Sequence, residues 1–191
     1  MLTCTSYLCI KAQHMKKLSM EELGRLSAEE YKKVEKMPVV VVLDNIRSQN
    51  NTGSVFRTSD AFRVEAIHLC GITATPPHRE IQKTALGATD SVDWKYFETS
   101  AESIAYLKKE GYHILVVEQA EGSVSLFDYH FPIQRKTAII FGNEVNGVQQ
   151  EIVDMADECL EIPQKGTKHS LNVSVSAGIV LWSVFRSMNW K

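Results

Sequence analysis

No apolar run in this sequence reaches the ~18 residues that a membrane span requires. The most apolar stretch, Val173 to Phe185, is shorter and is interrupted by Ser174, Ser176, Gly178 and Ser183. Residues 1–14 lack a basic region ahead of their weakly apolar stretch, so a secretory leader is not expected and the cytoplasm is the expected compartment. Met15-Lys16-Lys17 offers an alternative start of translation that would leave residues 1–14 out. Cysteine is scarce. Cys4, Cys9, Cys70 and Cys159 have no regular spacing, and no CxxC pair or HExxH motif occurs. Neither a disulfide framework nor a metal site is expected from this pattern. An excess of one charge is lacking as well: 21 Lys and Arg stand against 23 Asp and Glu, a net charge of −2. That balance excludes a nucleic-acid binder acting through bulk positive charge, though not an enzyme with a local basic patch. What the chain does have is 191 residues with 44% hydrophobic content, enough for one domain with a short appendage and a core that needs no cross-links.

Two Ser-x-x-Glu capping boxes, Ser19 to Glu22 and Ser27 to Glu30, predict two short helices between about Met20 and Lys36. Pro38 ends that pattern, so residues 1–37 read as an N-terminal helical extension and residues 38–191 as the main domain. Val39 to Leu43 is a continuous β-branched run, the mark of a strand buried on both faces. Similar runs follow at Ala66 to Cys70, Trp94 to Phe97, His113 to Val117, Thr137 to Phe141 and Cys159 to Ile162. Helical patterns lie near residues 53–62, 101–110 and 148–156, and a long helix is expected from about Asn172 to Met188. Alternation of strand and helix gives an α/β class: a mostly parallel sheet with helices on both faces. The final helix is apolar nearly all round, so both its sides need cover, one from its own sheet and the other from its own domain or from a second subunit.

In such sheets ligands sit beyond the carboxyl ends of the strands. The first such loop, Asp44 to Thr58, is polar and leads into a helix expected to start near Gly53. Val55, Ser59 and Phe62 share one helical face, and Arg57 points away from it. Near the helix start Arg57 could reach into the cleft with Asn51, although on spacing alone a solvated arginine beside a capping asparagine is the commoner arrangement. The loop after the fifth predicted strand is Gly142-Asn143-Glu144-Val145-Asn146-Gly147, two glycines bracketing a carboxylate; it is not a dinucleotide fingerprint. The loop after the sixth, Pro163 to Asn172, carries Lys165, Lys168 and His169 and enters the last helix at a Ser/Asn cap.

Together, Asn51-x-Gly53-x-x-x-Arg57, Phe141-Gly142-Asn143-Glu144-x-x-Gly147 and Ile162-Pro163-x-x-Gly166-x-x-x-Ser170-Leu171-Asn172-Val173-Ser174 resemble the three ordered motifs of SpoU/TrmH-type RNA methyltransferases of the SPOUT superfamily. The resemblance covers roughly Pro38 to Trp190, with Gln164 where Met is common and Val145 where Gly is common. It implies a C-terminal deep trefoil knot, a homodimer with active sites at its interface, and S-adenosylmethionine as cofactor. The cofactor residues it implies are Gly142, Asn143, Ile162, Ser170 and Leu171, joined by Gln119 and Ala120 on location after the fourth strand. The catalytic set it implies is Asn51, Arg57, Glu144, Ser170 and Asn172, with Glu144 holding Arg57 or Asn172.

The implied reaction methylates a ribose 2′-hydroxyl, which needs positioning more than it needs a metal or general acid. A guanidinium titrates above pH ~12, so a role for Arg57 in holding a phosphate and stabilising developing alkoxide charge is preferred to a role as base. Arg47, Arg63, Lys165, Lys168 and His169 are the candidate RNA contacts, with Arg79 and Lys83 near the same motifs. The short N-terminal extension favours tRNA over rRNA as substrate. Two alternatives stand beside this reading: a catalytically silent module of the same family that binds RNA or a partner, and an unrelated nucleotide-binding α/β protein.

Overall fold

The computed structural model describes residues 15–19, 21–132 and 134–188. Residues 1–14, with Cys4 and Cys9, lie outside the described residues. A seven-stranded sheet runs through the chain, with strands β1 (Met37–Asp44), β2 (Val64–Cys70), β3 (Asp93–Phe97), β4 (His113–Val117), β5 (Val124–Ser125), β6 (Thr137–Phe141) and β7 (Glu158–Glu161). Their order is β3-β2-β1-β6-β4-β7-β5, and every pairing is parallel. The six expected strands are all present. The seventh, β5, has two residues and no apolar run to announce it.

Seven helices accompany the sheet among the described residues: α1 (Ala28–Lys33), α2 (Gln49–Ala61), α3 (Arg79–Ala85), α4 (Ala88–Ser91), α5 (Ser100–Lys109), α6 (Gln150–Met155) and α7 (Val173–Ser187). Alternate residues of β1 face opposite layers, as strand geometry requires. Val39, Val41 and Leu43 pack with Val55 and Phe56 of α2, Ile81 of α3 and Ala177, Val180, Leu181 and Val184 of α7. Val40 and Val42 pack with Ile104 and Leu107 of α5 and Ile152 of α6. Cys70 is buried in that second layer, and Cys159 is partly exposed.

Three local expectations are corrected. Both capping boxes form, at Ser19 with Glu22 and at Ser27 with Glu30. Only the second opens a helix, because Gly24 turns the chain at φ +54 directly after the first. Helix α2 begins at Gln49, four residues before the expected start, because Ser48 caps it through the Asn51 amide. Gly53 therefore lies inside the helix, and its reason is packing. A Cβ there would sit 2.4 Å from the Ile81 carbonyl and 2.1 Å from Thr84 Oγ1, so only glycine lets α3 lie this close. Helices α3 and α4 lack a long apolar period and were not expected.

His68 of β2 is buried and bonds Ser103 Oγ through Nδ1 at 2.8 Å. Burial, with a smaller contribution from Lys95, pushes its pKa down to about 4. The unfolded chain takes up this proton more readily than the folded one. The stability that neutral His68 contributes is therefore full above pH ~6.5 and is lost as pH falls from there through about 4. The loss is on the order of 3 kcal/mol. Urea denaturation across this range should show the decline, and His68→Gln should flatten it.

Candidate active site

After β1 the chain turns to α2 on one face of the sheet; after the neighbouring β6 it turns to α6 on the other. The crevice between two such strands is where ligands bind in open α/β sheets, and Asn51, Glu144 and Asn172, one residue from each motif, meet there. Glu144, just past β6, accepts the Arg47 amide on Oε2 at 2.9 Å. Its Oε1 accepts the Ser48 amide at 3.0 Å and Asn51 Nδ2 at 2.9 Å. A carboxylate is acceptor-only, so Asn51 turns its NH2 to Glu144 and its oxygen outward. That oxygen accepts Asn172 Nδ2 at 3.1 Å. Asn172 in turn caps α7, its Oδ1 accepting the Ser174 amide at 2.9 Å. One chain of hydrogen bonds thus links the loops after β1, β6 and β7. Glu144 holds neither Arg57 nor, directly, Asn172; Asn51 stands between.

Partial burial pushes the Glu144 carboxyl up, but the hydrogen bonds from Arg47, Asn51 and Ser48 outweigh it and hold the pKa below the usual range. The rest of the motif builds the turn. Asn143 and Gly147 exchange backbone hydrogen bonds at 3.0 and 2.9 Å. Asn143 Oδ1 accepts the amides of Val145 and Asn146, while its Nδ2 donates to the Asn45 carbonyl at 2.6 Å. Gly147 sits at φ +65, where a side chain is strained. A Cβ on Gly142 would lie 2.3 Å from the Gly147 carbonyl carbon, so this glycine admits its own loop.

Beside this network lies a cleft of about 790 Å³, within the ~300–1,000 Å³ usual for small-molecule sites. Gln119, Ala120, Gly142, Asn143, Ile162, Ser170 and Leu171 all line it, as do Glu144, Asn172 and the two departures from the family pattern, Val145 and Gln164. The loop of residues 162–172 leaves β7 and reaches α7, which packs beside α2. It therefore passes β4 and β6, and three loops converge as walls.

Sequence reasoning missed Glu118, a half-buried carboxylate in the same wall. Its position directly after the apolar run of β4 was the available signal. The cleft carries Glu118, Glu121 and Glu144 but neither Lys nor Arg.

Arg57 is exposed on α2 and is not part of the cleft lining. No ion pair among the described residues involves it. Arg47 is exposed beside the Glu144 network, and Lys165, Lys168 and His169 are exposed on the loop after β7. Arg63 is not with them. It precedes β2, where its carbonyl accepts the Met37 amide at 2.8 Å, and so lies at the amino ends of the strands, roughly 20 Å of strand from their carboxyl ends.

The model of the SpoU rRNA Methylase family matches residues 38–182. The tRNA (guanosine(18)-2′-O)-methyltransferase of Escherichia coli is 28% identical over 148 residues, 78% of this chain and 63% of that protein. The 23S rRNA (guanosine-2′-O-)-methyltransferase RlmB of Neisseria meningitidis is 33% identical over 149 residues, 75% of this chain and 56% of that protein. The chain thus spans less than two thirds of these relatives' length. Among solved structures, the TrmH/SpoU tRNA modifying enzyme of Aquifex aeolicus superposes with a TM-score of 0.73 at 27% identity, covering 84% of this chain and 79% of that one. The AdoMet-bound rRNA methyltransferase of Sinorhizobium meliloti superposes with a TM-score of 0.74 at 25% identity, covering 82% of this chain and 59% of that one. With three motifs meeting at one crevice and a family model matching most of its length, the chain belongs to the SpoU rRNA methylase family.

Proposed function

We propose that this protein is an S-adenosylmethionine-dependent methyltransferase acting on a ribose 2′-hydroxyl of RNA, tRNA before rRNA. The observation that carries the reading is the Glu144–Asn51–Asn172 chain, which ties the arginine-bearing helix α2 to the rim of the cleft. A cleft walled by three carboxylates and no Lys or Arg suits a cationic sulfonium. The relatives' names, tRNA and rRNA 2′-O-methyltransferases, support the same reaction. The C-terminal trefoil knot and a cytoplasmic location go with this reading.

Gly142, Asn143, Ile162, Ser170 and Leu171 would hold the cofactor, which supplies a methyl already activated on sulfur. The protein's own task is then to bring a hydroxyl to that methyl in line. Asn51 orients the loop that presents the ribose. Arg57, with no carboxylate partner among the described residues, is available to a phosphate and to negative charge growing on the hydroxyl oxygen. Arg47, Lys165, Lys168 and His169 hold RNA phosphates around the mouth.

Loss of ribose methylation at a defined position in total RNA, in a strain lacking the protein, tests the function. An unchanged methylation map would overturn it. Calorimetry should detect S-adenosylmethionine binding with EDTA present.

A homodimer belongs to the same proposal. Val175, Ile179 and Trp182 form a stripe at helical spacing on α7, with exposed Leu171 just ahead of it, and Val175 and Trp182 are 50% and 54% exposed. A second copy of this face is the partner that would cover it. Val184 is fully buried in the protomer, so a charge there reports on folding instead. Val175→Glu should convert the dimer to a folded monomer by light scattering; an unshifted mass would remove this interface.

A further inference from the structure

Glu118 is the first residue after β4, and its backbone is fixed on both sides. Its N–H donates to the Leu160 carbonyl at 3.0 Å, and its carbonyl accepts Cys159 Sγ at 3.5 Å. The side chain reaches across the cleft wall. Oε2 accepts the Val148 amide at 2.9 Å and Oε1 accepts the Gln119 amide at 2.8 Å. The space it occupies is matched by its neighbour, for a Cβ on Gly147 would lie 2.2 Å from Oε2. The next side chain holds a different loop: Gln119 Nε2 donates to the His169 carbonyl at 2.6 Å. Two adjacent residues of the loop after β4 therefore fasten the loop after β6 and the loop after β7. These are the three walls of the cleft.

We infer that Glu118 and Gln119 act as a clamp that sets the three loops in their binding arrangement before any ligand arrives. Both are positioning residues, and the Gln119 amide is engaged with protein and not free for the cofactor. This rests on the reading of the cleft as an S-adenosylmethionine site. Three loops without regular structure lose conformational freedom when they close on a ligand, and a clamp that has already restricted them removes that cost from binding. The carboxylate is required because two N–H donors face its two oxygens. A glutamine satisfies one and turns its own NH2 against the other. An aspartate is one methylene too short to reach Val148.

The test uses three arms on the full chain. Hydrogen exchange of the ligand-free protein should show faster exchange at the Val148 amide and its turn in Glu118→Gln than in wild type. Calorimetry on folded protein, well below its melting transition, should show affinity for S-adenosylmethionine lowered at least ~10-fold in Glu118→Gln and lowered less in Gln119→Ala. Affinity for S-adenosylhomocysteine, which lacks the sulfonium charge, should fall by the same factor. Loss confined to S-adenosylmethionine would overturn the clamp in favour of direct charge attraction. Unaltered exchange and affinity in both variants would overturn it outright. Should Glu118→Gln fail to fold, Gln119→Ala, which removes only an exposed side chain, still decides through the affinities. Failure of wild-type protein to bind either nucleoside would overturn the functional reading, while the exchange arm would still decide whether the clamp exists.

Discussion

Replacing Arg57 with alanine lowers single-turnover RNA methylation by at least ~100-fold, the lower end of what a positioned catalytic group contributes, and leaves S-adenosylmethionine affinity at the wild-type level. The separation follows from where the residue lies. Arg57 is exposed, outside the cleft lining and free of ion pairs among the described residues. Its removal opens no cavity and disturbs none of the hydrogen bonds around Glu144, so stability should move by less than ~0.5 kcal/mol. Its helix is nevertheless held firmly. At the amino end Asn51 is bound to Glu144 and Asn172, and at the carboxyl end Phe62 packs on Trp182 and Phe185 with ring centroids 6.1 and 5.3 Å apart. A side chain projecting from a frame fixed at both ends meets RNA in one place. Arg57→Lys should not restore activity, because an ammonium cannot reproduce a planar two-pronged contact. The measurement is methylation at saturating RNA beside calorimetric titration of the cofactor. Near-normal turnover in Arg57→Ala would leave the residue as ordinary surface.

Much of this frame was legible in the residues, and the exceptions have physical causes. Val39 to Leu43 and Thr137 to Phe141 announced buried parallel strands because both faces of the sheet are covered, leaving no polar alternation. The cleft residues named from the sequence were legible because they lie in loops after strands, where parallel sheets gather their ligand-binding loops. Helix α3 was not, because its apolar contacts are few and its placement depends on the missing side chain of Gly53, an effect at a distance of some 30 residues. Arg63 looked like part of the first motif's basic cluster because it is near Arg57 in sequence. Helix α2 runs from the first motif's loop back along the sheet, and its far end leaves Arg63 at the amino ends of the strands, away from Arg47 and the loops after β6 and β7. The partner of Glu144 was legible only as a choice between Arg57 and Asn172. The resolution, Asn51 between them, depends on a contact spanning 93 residues. Glu118 was passed over because one carboxylate after one strand carries no pattern until Val148 is seen to face it.

The sharpest test of the central network is Asn51→Asp, a change of one atom that inverts a donor. Wild-type Asn51 gives N–H to Glu144 and accepts from Asn172. Aspartate can keep the second bond and loses the first, because two acceptors now face each other at a separation near 2.9 Å. Asn51→Ala removes the donor without adding charge, so water can take its place at the exposed Glu144. Asn51→Asp should therefore be the more damaging substitution. Methylation at about pH 8 should fall at least ~100-fold, the loss expected when a reacting group is displaced by ~1 Å. The pH dependence carries the sign. In wild type, Glu144 has a pKa below the usual carboxylate range, so its three hydrogen bonds persist as pH falls through that range and are lost only below it. In Asn51→Asp the two carboxyls cannot both be ionised cheaply, and one pKa rises. Protonating that group restores an O–H between residues 51 and 144. Activity of the variant relative to Asn51→Ala should therefore climb as pH is lowered from about 8 toward 6. A pH-independent ratio of the two variants would show that Asn51 does not work through Glu144, and the link between the first motif and the cleft would have to lie elsewhere.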